Sequence, residues 1–498
     1  MSCTYLVIKS PCLHWYLTDE NIYYYLSRDL TFGNLPYRDF FYANPPLLLV
    51  LFKATGSIFG WGVLGLRAVP VGATLLGGWV IYRTLKPQIG GTAVIPLCVF
   101  WLTYDALRAS THATGINVTL LFLVTAYLFA FRGRGAASGV ILGLGLWTKA
   151  YAIVAFPGIV FALFFAVGKD RWREIVRFLA VVLISVFLLA LLGTLAGGKA
   201  FWDMTLWYHL GKTVGSSGLE DTAERVLGKN RGTLWVVALV GLFALAVALR
   251  RPSAALRAVR ETTWVQVRRL TASPPGVLFL VGTIHLMVVF LFLFLQRRVF
   301  DFYFLLYLPG AVFVLGGLLA WVQPKPDPTE NRTGWRVAIS ALATATLFVL
   351  AQPLLPQEER IFLKESVSYW SHEGRTIDRL QGLSEAVKQP QGATLCGDST
   401  SASLLALLSG ATLALGEADT NAMRFRAGYP PPDEFIRRLE VSRVERLLVR
   451  TERRGKSPPR PVGMFGIVEF LRYADENFAL EGVLQLNSKD EVRLLRRR

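Results

Sequence analysis

The sequence predicts a polytopic α-helical membrane protein of about eleven spans, followed by an extramembrane α/β domain. Three observations point to this fold class. Hydrophobic residues make up 53% of the 498 residues and charged residues only 18%, whereas soluble domains average about 25% charged residues. The charges are unevenly spaced, and the apolar runs between them are long enough to cross a hydrocarbon core of about 30 Å. After residue 355 the composition becomes polar and stays so to the end of the chain.

The net charge of +18 is distributed between the apolar runs and does not form one basic face. It therefore indicates membrane topology and does not favour nucleic-acid binding. The four cysteines, Cys3, Cys12, Cys98 and Cys396, include no CxxC pair. This spacing supports neither a disulfide framework nor a zinc site.

The spans follow from apolar runs bounded by charged residues. Residues 1–18 form a weak first span because Lys9, Pro11 and His14 interrupt it. No small-residue cleavage site follows, so we expect no removable signal peptide; a start upstream of Met1 would complete the span. The predicted spans are 1–18, 62–82, 91–104, 116–131, 135–148, 151–168, 178–198, 233–249, 276–295, 302–322 and 337–355.

Positive charge gives the orientation. The densest Lys and Arg segments are every second connection, at 83–90, 132–134, 169–177, 250–275 and 323–336. By the positive-inside rule these face the cytoplasm. We therefore expect a multi-pass protein of the cell (inner) membrane, with the N-terminus inside and the C-terminal domain on the extracytoplasmic side.

Two domains are predicted, a transmembrane module of residues 1–356 and a C-terminal domain of residues 357–498. The second contains alternating strand and helix patterns, which are typical of a small α/β layer. Strands are predicted at 392–396, 411–415, 444–449 and 492–495, and helices at 401–409, 432–439 and 466–475.

The first outer loop, residues 19–61, combines acidic, aromatic and proline features. A short interfacial helix is expected at 21–30, and Pro45–Pro46 can begin a second helix, Leu47–Phe59. The ordered pattern in this loop and beyond is Asp19-Glu20, Tyr23, Gly33, Pro36-Tyr37-Arg38-Asp39, Pro45-Pro46-Leu47, Phe59-Gly60 and Arg67, then Gly143-Leu144, Thr148-Lys149 and the run from Tyr303 to Pro309.

This pattern resembles the GT-C fold glycosyltransferases that use polyprenyl-phosphate sugars, in the branch of protein O-mannosyltransferases and the lipid A aminoarabinose transferase. The resemblance implies transfer of a sugar from a polyprenyl-phosphate donor to a hydroxyl of a lipid, glycan or protein, with inversion. It also implies that Asp19 is the general base, assisted by Glu20. A carboxylate suits that role because it can accept the hydroxyl proton in the transition state.

The remaining candidates would bind substrate. Cations must stabilise the departing phosphate, and Arg297 and Arg298 are the first candidates; interfacial anchoring explains them equally well. Lys149 could contact a phosphate or a lipid headgroup. Arg38 and Asp39 either contact substrate or pair with each other. Further substrate-binding candidates from the pattern are Tyr23, Tyr37, Asn44, His112, Asn117 and Tyr303.

Several positions depart from the family. Ile22 and Asn44 replace basic residues of the aminoarabinose transferase, and Asn117 stands where relatives often carry an acid. His112 alone is more often an interfacial polar residue than a ligand. No cofactor is expected, and the loop lacks a His or carboxylate cluster that would predict a divalent metal.

Three further segments hold polar or aromatic groups. Residues 199–231 either cap a lipid-facing cavity or form a helix of the aromatic belt at the membrane surface. Residues 398–400 and 419–421 either bind an acceptor or serve turns. Two other functions stay open: a flippase for lipid-linked sugars, which would place ionisable groups at mid-span where His285 is the clear candidate, and a noncatalytic protein that binds polyprenyl lipid.

Overall fold

The computed structural model describes residues 3, 5–6, 19–103, 106–107, 114–166, 170–211, 273–295, 301–322, 382–385, 387, 394–453, 458–485 and 490–498. These residues form a helical bundle and a domain built on one sheet. The predicted spans at 233–249 and 337–355, and nearly all of 1–18, lie outside the described residues.

The bundle follows the predicted apolar runs. Its first two helices belong to the outer loop and are α1 (Glu20–Asp29) and α2 (Leu47–Phe59). The helices that follow are α3 (Val63–Ile89), α4 (Val94–Leu102), α5 (Ile116–Phe131), α6 (Gly135–Thr148), α7 (Phe156–Ala166), α8 (Arg171–Gly197), α9 (Pro274–Leu295) and α10 (Leu308–Val322).

Within the described residues, four helical stretches are long and apolar enough to cross a membrane: Gly65–Leu102, Arg171–Gly197, Pro274–Leu295 and Phe302–Ala320. The other apolar helices of the bundle are shorter, between 10 and 17 residues. A multi-pass helical protein is therefore confirmed, and the number of eleven spans stays a prediction.

Small residues bring two of these helices close together. Gly135, Gly139 and Gly143 recur every fourth residue along one face of α6. A Cβ atom on Gly139 would lie 2.9 Å from the Phe178 carbonyl oxygen, and one on Gly143 would overlap the Ser185 hydroxyl. The backbones of α6 and α8 can approach this closely because no side chain intervenes, as is common between membrane helices.

The described part of the C-terminal domain is built on one six-stranded sheet with helices packed beside it. The strands are β1 (Thr394–Gly397), β2 (Thr412–Leu413), β3 (Arg446–Glu452), β4 (Arg460–Pro461), β5 (Phe478–Gln485) and β6 (Asp490–Arg497). Their order is β2-β1-β3-β6-β5, with β4 paired to β3. The helices are α11 (Ser399–Ser409), α12 (Ala422–Arg426), α13 (Pro432–Val441) and α14 (Val468–Asn477).

The sheet is mixed. Strand β1 pairs in parallel with β2 and β3, whereas β3, β6 and β5 pair antiparallel. The α/β character of the domain was predicted, as were β1, β2, β3, β6 and the helices α11, α13 and α14. Strands β4 and β5 and helix α12 were not predicted.

One hydrophobic core joins the two parts of the molecule. Buried side chains of α1 and α2, including Tyr24, Leu26 and Leu48, belong to the same cluster as Leu404 and Leu405 of α11. The outer loop is therefore the packing surface on which the sheet domain rests.

Candidate active site

Helix α1 holds Asp19 at its N-terminus, and the sheet domain fixes the position of that helix. The Asn21 side chain donates to the Thr400 carbonyl at 3.1 Å. At the other end of α1, Arg28 donates to the Ala406 carbonyl of α11 at 2.9 Å and to the Ala411 carbonyl just beyond that helix at 3.0 Å. Both ends of α1 are thus tied to α11.

A cavity of about 80 Å³ lies between the bundle and the sheet domain. That volume accommodates several water molecules or one small polar group. Its walls come from the outer loop, the start of the segment after α6, the segment after α8, the turn before α10 and the sheet domain. The lining residues are Asp19, Ile22, Tyr23, Leu26, Phe41, Tyr42, Ala43, Asn44, Lys149, Tyr151, Tyr208, His209, Phe302, Tyr303, Asp419, Asn421 and Met423.

Asp19 is the acidic group that the outer loop contributes to this cavity. Asp19 is exposed to solvent at its surface, although the many protein atoms around it displace part of its hydration. This desolvation, together with the negative charges of Asp419 and Asp398, raises the pKa of Asp19 to about 6, against the opposing effect of Lys149 and Arg450. The carboxylate is therefore a stronger base than an aspartate with the ordinary pKa.

Lys149 faces the same cavity and is only 5% exposed. Its ammonium lies 5.8 Å from the ring centre of Tyr23 and 5.7 Å from that of Tyr151, within the range of a cation–π interaction. The backbone of Gly115 passes beside its stem with φ +87°, and a Cβ there would lie 3.2 Å from the Lys149 Cε atom. A buried cation is thus held in place by two aromatic rings and by a closely approaching backbone.

Tyrosine hydroxyls complete the polar lining. Asn44 donates to the Tyr23 hydroxyl at 3.4 Å, and the Tyr151 and Tyr303 hydroxyls are 2.6 Å apart. Tyr37 does not line the cavity; its hydroxyl donates to the Asn44 carbonyl at 2.6 Å and supports that segment from behind. The predicted residues that line the cavity are Asp19, Tyr23, Asn44, Lys149 and Tyr303.

Glu20 lies outside this lining. It is fully buried and forms an ion pair with Arg67, which is buried too. Arg67 Nε donates to the same carboxylate at 3.0 Å, and the Tyr24 hydroxyl donates to it at 3.2 Å. These contacts hold α1 against α3, so the structure gives Glu20 a structural role. A direct part for Glu20 in catalysis stays a prediction.

Arg38 and Asp39 form an ion pair of 2.7 Å on the surface. The Leu35 amide also donates to Asp39 at 2.7 Å, and both interactions lower the pKa of that carboxyl. The two residues line a second cavity and not the one around Asp19. The structure shows the mutual pair, and contact of these two residues with substrate stays a prediction.

The other predicted site residues do not line the Asp19 cavity or are not described. Asn117 is buried in α5, where its amide is 3.5 Å from the Thr74 hydroxyl. His112, Arg297 and Arg298 lie outside the described residues.

The sheet domain contributes Asp419 and Asn421, for which acceptor binding was one of two predicted alternatives, and Met423, which was not predicted. Asp419 and Asn421 lie in the segment before α12, where the Asn421 side chain accepts the Met423 amide at 3.1 Å as the N-cap. From the sequence, this segment was expected either to form a turn or to bind an acceptor. In the structure it forms a turn and also faces the cavity. Tyr208 and His209 come from the segment for which capping of the cavity was one of two alternatives.

No three His, Cys, Asp or Glu side chains in the described parts of the chain lie close enough together to hold a metal ion. The polar groups of the cavity are instead suited to proton transfer and anion binding. A carboxylate with a raised pKa and a buried ammonium share one small volume, lined by tyrosine hydroxyls.

Comparison with known proteins finds a family model that matches part of the chain. Residues 41–274 match the model of glycosyltransferase family 87. The chain is 27% identical over 226 residues to the undecaprenyl phosphate-α-4-amino-4-deoxy-L-arabinose arabinosyl transferase 1 of Proteus mirabilis, which is 41% of each chain. It is 28% identical over 136 residues to the corresponding transferase of an Enterobacter species, covering 27% of this chain and 21% of the other. The chain thus matches well under half the length of these curated relatives.

The whole fold is similar to that of a solved structure, ArnT from Cupriavidus metallidurans bound to undecaprenyl phosphate. The TM-score is 0.62 at 15% sequence identity, and the match covers 99% of this chain and 96% of that one. This similarity confirms the predicted fold, in which a sheet domain follows the membrane helices. Together with the family model and the curated relatives, it confirms the resemblance to GT-C fold glycosyltransferases.

Proposed function

We propose that the chain is an integral membrane glycosyltransferase that moves a sugar from a polyprenyl phosphate to a hydroxyl acceptor on the outer side of the membrane. One observation carries the proposal: Asp19 and Lys149, a base and a cation, line the same cavity beside apolar helices. The relatives are named as transferases of a sugar on undecaprenyl phosphate, which favours transfer over the flippase and the noncatalytic lipid-binding alternatives.

In the proposed reaction the acceptor oxygen attacks the anomeric carbon of the donor sugar. The bond from that carbon to the phosphate oxygen breaks, the hydroxyl proton passes to Asp19, and the polyprenyl phosphate leaves as an anion. One displacement inverts the anomeric centre. With a pKa of about 6, the Asp19 carboxylate is mostly ionised at neutral pH and still basic enough to accept the proton.

Lys149 would stabilise the departing phosphate. Its ammonium is already fixed between Tyr23 and Tyr151, so little reorganisation is needed when negative charge develops. Arg297 and Arg298 remain proposed for the same phosphate, at the end of the span that precedes the Tyr303 segment. The Tyr151 and Tyr303 hydroxyls are suited to donate hydrogen bonds to the phosphate or the sugar.

The charge distribution supports an extracytoplasmic site. The connections richest in Lys and Arg alternate along the chain with those that carry the cavity residues, and positive connections favour the cytoplasm. A carrier lipid would keep its chain among the apolar helices while its phosphate reaches the cavity.

The test is turnover by purified protein in lipid nanodiscs, supplied with a panel of labelled undecaprenyl-phosphate sugars, with donor consumption and product anomer as readouts. We expect an inverted product from wild-type protein and none from Asp19→Asn. Asp433→Asn, an exposed aspartate in the first turn of α13, is the matched control and should keep wild-type turnover. Full activity of Asp19→Asn would remove Asp19 as the base.

A further inference from the structure

A second cavity, of about 300 Å³, lies between the outer loop, the segment after α8 and the sheet domain. It is larger than the cavity around Asp19 by the same measure. Aromatic rings, prolines and six charged side chains line it. The charged residues are Arg38, Asp39, Glu417, Arg424, Glu434 and Arg438.

The two cavities are neighbours, separated by one aromatic layer. Phe41 lines both of them. Its ring packs edge-on against Tyr208 of the first cavity, with centroids 5.1 Å apart, and Tyr208 packs against Tyr429 of the second at 5.7 Å. A molecule in the second cavity therefore lies next to the site of the proposed reaction.

Arg424 lines the second cavity and also contacts residues that line the first. It is 2% exposed, and its guanidinium lies 4.1 Å from the ring centre of Phe41. It donates to the Glu417 carboxylate and to the Asp419 carbonyl, each at 2.7 Å. The wall of the second cavity thus holds the backbone of the residue whose carboxylate raises the pKa of Asp19.

The charges that line the second cavity balance: three arginines face three carboxylates. They also pair with one another, Arg38 with Asp39 at 2.7 Å and Arg438 with Glu417 at 3.8 Å. Such a lining has no excess charge to attract a phosphate or another anion. It offers both donors and acceptors beside aromatic and proline surfaces, which fits a neutral ligand rich in hydroxyl groups.

We propose that the second cavity is a subsite for the acceptor, and that it binds a neutral saccharide whose leading hydroxyl is presented toward Asp19 past Phe41. This inference rests on the proposed glycosyl transfer. It narrows the acceptor from any hydroxyl compound to one with an uncharged sugar next to the accepting hydroxyl. Guanidinium groups and carboxylates would hydrogen-bond the ring hydroxyls, while Phe41 and Tyr429 pack against the ring.

The test measures binding separately from turnover. Full-length protein in lipid nanodiscs, free of sugar detergents, is titrated with methyl glucoside, methyl mannoside, methyl galactoside and lactose, and with glucose 6-phosphate as the anionic counterpart. Saturation-transfer NMR reports binding. We expect at least one neutral saccharide to bind, and to bind more tightly than glucose 6-phosphate.

Two variants connect binding to the cavity. Arg438→Ala and Glu434→Gln, both at accessible side chains of α13, should weaken saccharide binding about tenfold, the effect of losing a hydrogen bond to a charged group. Arg437→Ala, the exposed neighbour of Arg438 that does not line the cavity, should bind as the wild type does.

Asp19→Asn should also bind normally, so the two proposals fail in different ways. Saccharide binding without any sugar transfer would overturn the proposed reaction and leave the subsite intact. Transfer without saccharide binding would overturn the subsite alone. So would tighter binding of glucose 6-phosphate, or equal binding by Arg437→Ala and Arg438→Ala.

Discussion

The ion pair between Glu20 and Arg67 makes a sharp prediction, because both side chains are fully shielded from solvent. Glu20→Gln keeps the shape of the side chain but removes its charge, leaving a buried guanidinium without its carboxylate. Breaking a buried pair from one side costs about 3–5 kcal/mol of folding free energy. The loss arises from the uncompensated charge and not only from the missing attraction.

The double variant separates these two contributions. Glu20→Gln combined with Arg67→Met removes the charge left behind and replaces it with an apolar side chain of similar length. We expect the double variant to be more stable than either single one, with a coupling energy of about 2 kcal/mol or more. Additive losses would mean that the two groups do not interact in the folded protein.

The assay is the midpoint temperature of heat denaturation in detergent, read from the fraction of protein that still elutes as a folded species. Only the order of the four midpoints is needed, so irreversible unfolding does not spoil the comparison. Glu440→Gln, at an exposed glutamate of α13, controls for the substitution itself. If Glu20→Gln kept the wild-type midpoint and lost sugar transfer, the structural role argued for Glu20 would be wrong and its catalytic role would gain support.

Three further predictions concern the site and its supports. Because only the ionised carboxylate can accept a proton, the transfer rate should rise with pH through about 6, the raised pKa of Asp19, and level off above it. The Asp419→Asn variant removes a neighbouring negative charge and should lower the pKa of Asp19. The rise in the pH–rate profile should then move to lower pH. Lys149→Gln should raise KM for the polyprenyl-phosphate sugar, or lower kcat, by about 10–100-fold, the value of a hydrogen bond to a charged group; unchanged steady-state kinetics would exclude phosphate contact. Arg28→Ala removes the hydrogen bonds from α1 to the Ala406 and Ala411 carbonyls of the sheet domain and should cost about 1 kcal/mol, seen as faster limited proteolysis of that domain; an unchanged cleavage rate would contradict the role of Arg28 in holding the domain on α1.

The helices could be predicted from sequence because their signals are local. An apolar run bounded by charges predicts a span whatever it packs against, and a double proline can begin a helix because the first turn needs no amide donor. Helix α2 accordingly begins just after Pro46 and ends at Phe59, as predicted. Helix α8 begins earlier than expected, at Arg171, because its first turns are polar and lack an apolar signal.

Strand β5 shows where local signals fail. It is an edge strand that pairs with β6 alone, and most of its side chains are partly or fully exposed. Its sequence includes Glu481 and Gly482, and the register shifts beside that glycine. A strand at the edge of a sheet can carry polar and charged residues along its exposed side. Strand β5 therefore lacks the buried apolar pattern by which β3 was predicted.

The site could be predicted only in part, for a related reason. Asp19, Tyr23 and Lys149 were found from the order of motifs along the chain. The approach of Asp419 to Asp19 depends on packing between segments some 400 residues apart in sequence, and no periodic pattern encodes that distance. The partner of Glu20 is another case, since Arg67 lies 47 positions away on a different helix.

The sheet domain covers the cavity and also raises the pKa of Asp19, the proposed base. The negative charges that raise the pKa of Asp19, those of Asp419 and Asp398, both belong to that domain, as does part of the burial that removes water. The bundle contributes Lys149, whose positive charge acts in the opposite direction. Without the domain, Asp19 would lose the two carboxylates and part of the burial that raise its pKa, together with the Arg450 charge that lowers it, and would keep the lowering effect of Lys149. Because desolvation and the two carboxylates outweigh Arg450, the carboxylate would then be a weaker base, and the proposed glycosyl transfer should slow when the domain is not seated on α1.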